Sequence, residues 1–185
     1  RDVLKTTVAG GIACGVGSAL WENRAHASDA NSEVRLAILG LGGIDIPGSV
    51  GGRGRQLIDA LRGVPKARIV SLCDVDEQVL GHGVELLKKD KQTVSAHADM
   101  RSVFDDKNVD AVLVALPNHW HALATIWACQ ADKDVYVEKP LCHNIWEGRQ
   151  MIAAARQHKR MVQVGTQSRS SQLLPEVFKA IRDGM

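Results

Sequence analysis

One glycine-rich turn constrains the fold of this chain more than any other feature of its sequence. An apolar run of strand length at 34–39 leads directly into Gly40-Leu41-Gly42-Gly43, and a segment with apolar residues at helical spacing, around Ile58, follows. Glycines let a strand turn sharply and let backbone amides approach an anion at the start of a helix. A further glycine cluster leaves open whether Gly52 or Gly54 is the third glycine of this turn.

Beyond this turn, strand-length apolar runs alternate with segments of helical period, which is the pattern of a parallel α/β sheet. The further strands are predicted at 67–73, 109–116, 135–137 and 161–164, with a weak strand near Val94. Two predicted helices each carry an apolar face, formed in one by Leu80, Val84 and Leu87 and in the other by Leu123, Ile126 and Trp127. Further helices are predicted at 100–104 and 173–181, and another begins after Asn144, which forms a capping pair with Glu147. The sequence therefore predicts a doubly wound parallel sheet.

An acidic residue at the end of the second predicted strand adds to the glycine turn. Asp74 stands where a carboxylate accepts hydrogen bonds from an adenosine ribose. Strand, glycine turn, helix and acid together favour dinucleotide binding over a glycine-rich loop without a ligand. Arg53 and Arg55 are candidates for a clasp over the pyrophosphate, because arginine forms paired hydrogen bonds to phosphate.

Polar residues follow the later strands, and ligands of open parallel sheets bind beyond the carboxyl ends of the strands. These residues are Pro117-Asn118-His119-Trp120-His121, Glu138-Lys139-Pro140 and Gly165-Thr166-Gln167. The two histidines are interpreted as cofactor or substrate contacts and not as metal ligands, since no cysteine or carboxylate stands at suitable spacing. No metal site is predicted. Cys73 and Cys129 are interpreted as small apolar residues without chemistry, and Trp127 and Trp146 as packing residues.

Composition excludes several classes of partner. Lysine and arginine number 23 against 21 aspartate and glutamate, a formal charge of +2. This balance, without a run of five like charges, predicts no nucleic-acid or membrane partner. The four cysteines have no C-x-x-C pair, so neither a disulfide framework nor a zinc module is indicated.

The first 27 residues have the pattern of a secretory signal peptide. An uncharged stretch of sixteen residues at Thr6 to Trp21 follows a charged start, and Ala25-His26-Ala27 supplies the small residues of a cleavage site. Arg1-Asp2-Val3-Leu4-Lys5 resembles the second half of a bacterial twin-arginine motif, so we expect residues before Arg1 and a periplasmic or exported protein. A loosely packed N-terminal helix is the alternative, and the protein would then be cytoplasmic.

Four motifs together resemble the N-terminal domain of the Gfo/Idh/MocA oxidoreductase family. They are Gly40-Leu41-Gly42-Gly43, Cys73-Asp74-Val75-Asp76, Pro117-Asn118-His119-Trp120-His121 and Val137-Glu138-Lys139-Pro140. The resemblance implies a dinucleotide-binding Rossmann domain at 28–170 and a linking helix at 171–185. It also implies a second α/β domain beyond Met185, which would carry substrate residues and the interface of a homo-oligomer.

The resemblance further implies roles for individual residues. Lys139 would be the catalytic lysine, which exchanges a proton with a substrate hydroxyl, and Glu138 would lie beside the nicotinamide ribose. The other implied cofactor contacts are Gly40, Gly42, Gly43, Asp74, Pro117, Asn118, His121, Gln167 and Lys139 itself. A second acid/base group would come from the domain beyond Met185.

The implied activity is hydride transfer between a nicotinamide cofactor and a sugar, cyclitol or related polyol. NAD is expected over NADP, because Asp74 would repel a 2′-phosphate, although NADP stays open. One alternative is an NAD-dependent glycoside hydrolase that uses transient C3 oxidation; such enzymes usually lack the lysine. Another is a regulatory binding protein without turnover, against which the export signal argues.

Overall fold

A computed structural model of the protein describes residues 33–43, 52–171 and 173–184. The predicted signal segment at 1–27 and the predicted insertion Ile44 to Val50 lie outside the described residues. Within the described ranges, no helix is both long and apolar enough to cross a membrane.

Six parallel strands form one sheet in the order β3-β2-β1-β4-β5-β6. The strands are β1 Val34–Leu39, β2 Ala67–Cys73, β3 Ser95–His97, β4 Ala111–Val114, β5 Asp134–Glu138 and β6 Val162–Gly165. The α-helices are α1 Arg53–Leu61, α2 Glu77–Lys89, α3 Met100–Asp105, α4 Asn118–Gln130, α5 Ile145–Gln157 and α6 Leu173–Arg182, and a 3-10 helix spans Gln167–Ser170. The prediction of a doubly wound parallel sheet is confirmed.

Alternation along the strands divides the buried core into two clusters, one on each side of the sheet. On β1, Leu36 and Ile38 belong to the cluster formed with α1 and α2, whereas Ala37 and Leu39 belong to the cluster formed with α3, α4 and α5. A strand buried on both faces has no polar face. This is why residues 36–39, which follow Arg35 in β1, form a continuous apolar run.

The central strand β4 is shorter than predicted, since it spans Ala111–Val114 and not 109–116. Val109 is buried, but its amide donates to the carbonyl of Asp106 in the turn after α3. At the other end, the amide of Ala115 still donates to Leu39, whereas the carbonyl of Leu116 has turned towards a side chain of α4. The run therefore begins with a buried residue outside the strand ladder and ends with two half-buried residues that follow the strand.

Helix α4 buries a different face from the one predicted. Leu123, Ile126 and Trp127 are only half-buried, whereas the small residues Ala124 and Ala128 have no exposed surface. Helix α4 packs against β4, β5 and α5, and small side chains let a helix lie close to its neighbours. The bulky residues consequently flank the contact.

Trp146 lies at the start of α5, and 69% of it is exposed when all described residues are considered. The prediction that Trp146 is a packing residue is therefore wrong.

The capping prediction for α5 is confirmed. The side chain of Asn144 accepts a hydrogen bond from the amide of Glu147 at 2.9 Å, and the Glu147 carboxylate accepts from the amide of His143 at 2.9 Å. The Asn144 side chain satisfies an amide of the first helical turn, and the Glu147 carboxylate binds the amide of the residue just before the cap. They fix the start of α5 just after the loop that carries Lys139.

Candidate functional site

The glycine turn brings the start of α1 against the end of β1. Gly40 has φ +83° and Gly52, which precedes α1, has φ +90°, a region that residues with side chains rarely adopt. A Cβ atom on Gly54 would lie 2.0 Å from the carbonyl oxygen of Gly40. Gly54 is therefore the third glycine, which lets helix and strand touch, whereas Gly52 makes the turn into the helix.

Asp74 connects the end of β2 to this turn. Its Oδ2 accepts a hydrogen bond from the amide of Leu41 at 2.8 Å, and its Oδ1 accepts from the amide of Asp76 at 3.1 Å. An ionised carboxylate has about four lone-pair sites, so two bonds leave acceptors for a ligand hydroxyl. The half-buried Asp74 thus supports the glycine turn and still presents a carboxylate beside it.

One cavity of about 1230 Å³ lies at the carboxyl ends of the strands. All ten residues predicted as site residues line it: Gly40, Gly42, Gly43, Asp74, Pro117, Asn118, His121, Glu138, Lys139 and Gln167. They come from five separate stretches of the sequence that the parallel sheet gathers at one edge. The structure brings the predicted residues together, and their individual roles stay predictions.

The sequence interpretation missed the part of the cavity beyond β2 and β3. Asp99, Met100 and Arg101 line the cavity there. Hydrogen bonds from Arg101 lower the pKa of Asp99 to about 2, so Asp99 is ionised and Arg101 is already paired. The signal for these residues was their position after a strand, but β3 has only three residues and a weak pattern.

Asn118, which lines the cavity, has a side-chain acceptor without a partner. It is the first residue of α4, and among the described residues its buried Oδ1 has no hydrogen-bond partner. A buried acceptor without a donor costs free energy of about 1–3 kcal/mol. A ligand donor at this position would remove that cost, which fits the predicted role of Asn118 as a cofactor contact.

His121 is buried, with 2% of its surface exposed, and both ring nitrogens lie close to backbone oxygens. Nδ1 is 2.7 Å from the carbonyl oxygen of Pro140, and Nε2 is 2.8 Å from that of Leu116. The ring therefore bridges the loop after β4 and the loop after β5. Its contacts favour a positioning role over a direct hydrogen bond to the predicted cofactor.

Glu138 is a buried carboxylate at the end of β5, with 5% of its side chain exposed. Its Oε1 accepts a hydrogen bond from Nε of Arg53 at 2.7 Å, and its Oε2 accepts from the amide of Lys139 at 3.3 Å. The side chain of Lys139 is exposed at the rim of the cavity. Arg55, the second arginine of the predicted clasp, donates to the carbonyl of Gly43.

The cysteine predictions are confirmed for Cys73 and Cys129, which are buried and unpaired. Burial, with a smaller effect of the charges of Asp74 and Asp99, raises the pKa of Cys73 to about 12. Burial also raises the pKa of Cys129. A thiol that stays protonated at neutral pH is a poor nucleophile, so both residues act as packing groups.

Together, the glycine turn after β1, the acid after β2 and the polar strand ends of β4 to β6 define a dinucleotide-binding Rossmann domain. Comparison with known proteins gives the same class, because the model of the oxidoreductase family with an NAD-binding Rossmann fold matches residues 34–166. The chain belongs to this family, Gfo/Idh/MocA.

Relatives named as inositol dehydrogenases match this domain. Inositol 2-dehydrogenase 1 of Saccharopolyspora erythraea is 35% identical over 125 residues, which cover 66% of this chain and 36% of that protein. Myo-inositol 2-dehydrogenase of Thermotoga maritima is 28% identical over 151 residues, which cover 82% and 41% respectively. The chain thus spans well under half the length of these curated relatives.

Solved structures share the fold. The WlbA dehydrogenase from Chromobacterium violaceum, in complex with NADH and UDP-GlcNAcA, superposes with a TM-score of 0.70 at 22% identity, covering 83% of this chain and 41% of that one. A probable dehydrogenase from Thermotoga maritima gives a TM-score of 0.68 at 26% identity, covering 82% of this chain and 41% of that one.

The described residues fit NAD. The glycine turn offers backbone amides next to the start of α1, the Asp74 carboxylate stands beside that turn, and Asn118 Oδ1 needs a donor. A cavity of about 1230 Å³ has room for a dinucleotide and leaves Lys139 at its rim.

Proposed function

We propose that the protein is an NAD-dependent dehydrogenase that oxidises a hydroxyl group of a cyclitol or related polyol. One observation carries the proposal: Lys139 lies at the rim of the same cavity that the glycine turn and Asp74 line. Relatives named as inositol dehydrogenases support the substrate class.

The residues of the cavity divide the work of holding the cofactor. The amides of the glycine turn and the start of α1 would hold the pyrophosphate, where the helix dipole favours negative charge. Asp74 would accept hydrogen bonds from the adenosine ribose, and Asn118 Oδ1 would take a donor from the nicotinamide half. His121 keeps the loop before Asn118 and the loop that carries Lys139 in one arrangement through its two carbonyl contacts.

Lys139 moves the proton of the reaction. Bound NAD supplies the acceptor for the hydride that leaves the substrate carbon. In its unprotonated form, Nζ of Lys139 takes the proton of the substrate hydroxyl as the C–H bond breaks and the carbonyl forms. Because Lys139 is exposed at the rim, its ammonium then returns the proton to solvent.

The proposal is tested with the full-length protein, NAD and a panel that contains myo-inositol, other cyclitols, aldoses and a nitrophenyl glycoside. We expect NADH to form with a cyclitol or polyol and no nitrophenol to be released. Nitrophenol release that requires NAD, without net NADH, would instead support the glycoside hydrolase. That alternative is not favoured, because the matched relatives are named dehydrogenases and Lys139 is present.

We also propose that residues 1–27 direct export by the twin-arginine route and that residues 171–185 lead into a second domain that forms a homo-oligomer. The support for export is the sequence pattern Arg1 to Lys5 with Ala25-His26-Ala27. A fusion of the precursor to a reporter active only after twin-arginine export tests it. Reporter activity that persists in cells without this transport system would contradict the route.

A further inference from the structure

The ion pair between Arg53 and Glu138 joins two parts of the cavity that are 85 residues apart in the sequence. Arg53 is the first residue of α1, at the glycine turn, and Glu138 is the last residue of β5, next to Lys139. The guanidinium also donates to the side chain of Gln56 at 3.1 Å. Two nitrogens of the guanidinium, Nε and Nη1, therefore already bind side chains of this chain.

Glu138 depends on this contact. A carboxylate that is almost fully buried is stable only when hydrogen bonds and an opposite charge replace its lost hydration. Glu138 has the Arg53 guanidinium on Oε1 and the Lys139 amide on Oε2. The hydroxyl of Tyr136 lies 3.5 Å from Oε1 and adds a weak contact.

Gly165 of β6 leaves the space in which this carboxylate sits. A Cβ atom there would lie 2.7 Å from the hydroxyl of Tyr136 and 3.0 Å from Oε1 of Glu138. Gly165 is also the register partner of Glu138 in the sheet. The carboxylate is thus held from the α1 side by a charge and bounded on the β6 side by backbone.

Lys139 is the residue next to Glu138 in the sequence and carries a cation of its own. If the Arg53 guanidinium were lost, Glu138 would be a buried carboxylate without its ion pair, and the ammonium of Lys139 could take its place. An ion pair between these two side chains would draw Nζ away from the rim of the cavity.

We propose that Arg53 is a positioning residue: its guanidinium occupies Glu138, so that the amine of Lys139 stays free for the substrate hydroxyl. The proposal deepens the proposed dehydrogenase function and rests on it for the role of Lys139. It assigns Arg53 to the lysine and not to the pyrophosphate.

The test uses the full-length protein and the variants Arg53→Gln, Glu138→Gln and the double variant, with Arg62→Gln as a matched control. Arg62 lies just after the end of the same helix and pairs with Asp59 and Asp90, away from the cavity. For Arg53→Gln we expect kcat to fall by roughly 10- to 100-fold, the usual effect of misplacing a reacting group by about 1 Å. The Kd for NAD should change by less than about threefold, a free-energy change below about 0.7 kcal/mol.

The double variant gives the sharper result. An amide at position 138 carries no charge that needs a guanidinium, so Arg53→Gln should cost nothing further in the Glu138→Gln background. If the kcat losses of the two single variants multiply in the double variant, the proposal is overturned. A large rise in the Kd for NAD in Arg53→Gln, with unchanged kcat, would also overturn it and would support the pyrophosphate clasp instead.

A readout without turnover separates this proposal from the proposed function. Acetic anhydride modifies unprotonated, free amines, and mass spectrometry reports the labelling of Lys139 relative to the exposed Lys159. We expect Arg53→Gln to slow labelling of Lys139 severalfold and Arg62→Gln to leave it unchanged; equal labelling in both would refute the positioning role. Arg53→Lys, which keeps a cation near Glu138, is the substitute if the glutamine variant does not fold, and it should label like the wild type. Absence of polyol-dependent NADH formation in the wild type would contradict the proposed function alone.

Discussion

The contact between Gly54 and Gly40 makes a sharp prediction for the variant Gly54→Ala. The added Cβ would lie 2.0 Å from the carbonyl oxygen of Gly40, whereas real Cβ contacts are essentially never shorter than 3.0 Å. The first turn of α1 must therefore move away from the glycine turn by about 1 Å. The obstacle is backbone, so no rotation of a side chain relieves it.

Two quantities should change in Gly54→Ala. Overpacking of this kind destabilises a protein by about 1–3 kcal/mol. The shift would also misalign the amides proposed to hold the pyrophosphate, and loss of one hydrogen bond to a charged group, about 1.5–3 kcal/mol, would weaken NADH binding by roughly 10- to 100-fold. Thermal unfolding measures the first change. Energy transfer from Trp120 and Trp127, which line the cavity, to bound NADH measures the second.

Gly81→Ala is the matched control. Gly81 lies in α2, is exposed, and has nothing within 4 Å of its added Cβ atom. Replacement by alanine should stabilise the protein by about 0.4–1 kcal/mol, because alanine favours the helix and restricts the unfolded chain. The reasoning is refuted if Gly54→Ala binds NADH within about twofold of the wild type and melts at the same temperature.

Four further predictions follow from the site and the core. Lys139→Ala should lower kcat by roughly 10²- to 10⁴-fold with a much smaller change in the Kd for NAD, measured by steady-state kinetics and titration; near-normal turnover would remove Lys139 from the mechanism. Isothermal titration should show tighter binding of NAD than of NADP, since Asp74 lines the cavity beside the glycine turn and would repel a 2′-phosphate, and tighter NADP binding would contradict this. A thiol reagent followed by mass spectrometry should modify the half-buried Cys142 well before Cys73, whose pKa is raised to about 12; equal rates would show that Cys73 is accessible. Burial lowers the pKa of Lys133 in the folded protein below its ordinary value of 10.5. Between the folded and the unfolded pKa the unfolded chain binds more protons, so the free energy of unfolding, measured relative to the variant Lys133→Met, should increase as pH rises towards 10.5. A decrease over this range would contradict the assigned direction.

The parts of the fold that follow from local pattern were predictable. Strands β1 and β2 have the predicted bounds, because each is an apolar run that ends at a glycine turn or an acid. Strand β4 was predicted too long, since the apolar run continues into the buried Val109 before the strand and the half-buried Ala115 and Leu116 after it. For α4 the pattern of bulky residues was misleading, because a helix packed on three neighbours buries its alanines.

The site was predictable where its residues follow strands, and less so where contacts join distant segments. The rule for strand ends identified Asp74, Asn118 and Lys139 from their positions alone. Nothing in the sequence indicated that Arg53 pairs with Glu138, because the contact depends on how α1 leaves the glycine turn. The choice between Gly52 and Gly54 likewise required the backbone, since both stand at acceptable spacing.

The sheet that divides the core also divides the effects of mutation. Leu36 and Ile38 on one side share no cluster with Ala37 and Leu39 on the other, although the four residues are consecutive. Substitutions in helices on opposite sides are separated by the sheet, so their free-energy costs should add, whereas substitutions within one cluster should couple. Sequence variation can therefore accumulate independently in the two halves, and a designer can repack the α1 and α2 side without revising the α4 and α5 side. Only the strands belong to both clusters, and they have the least freedom to vary.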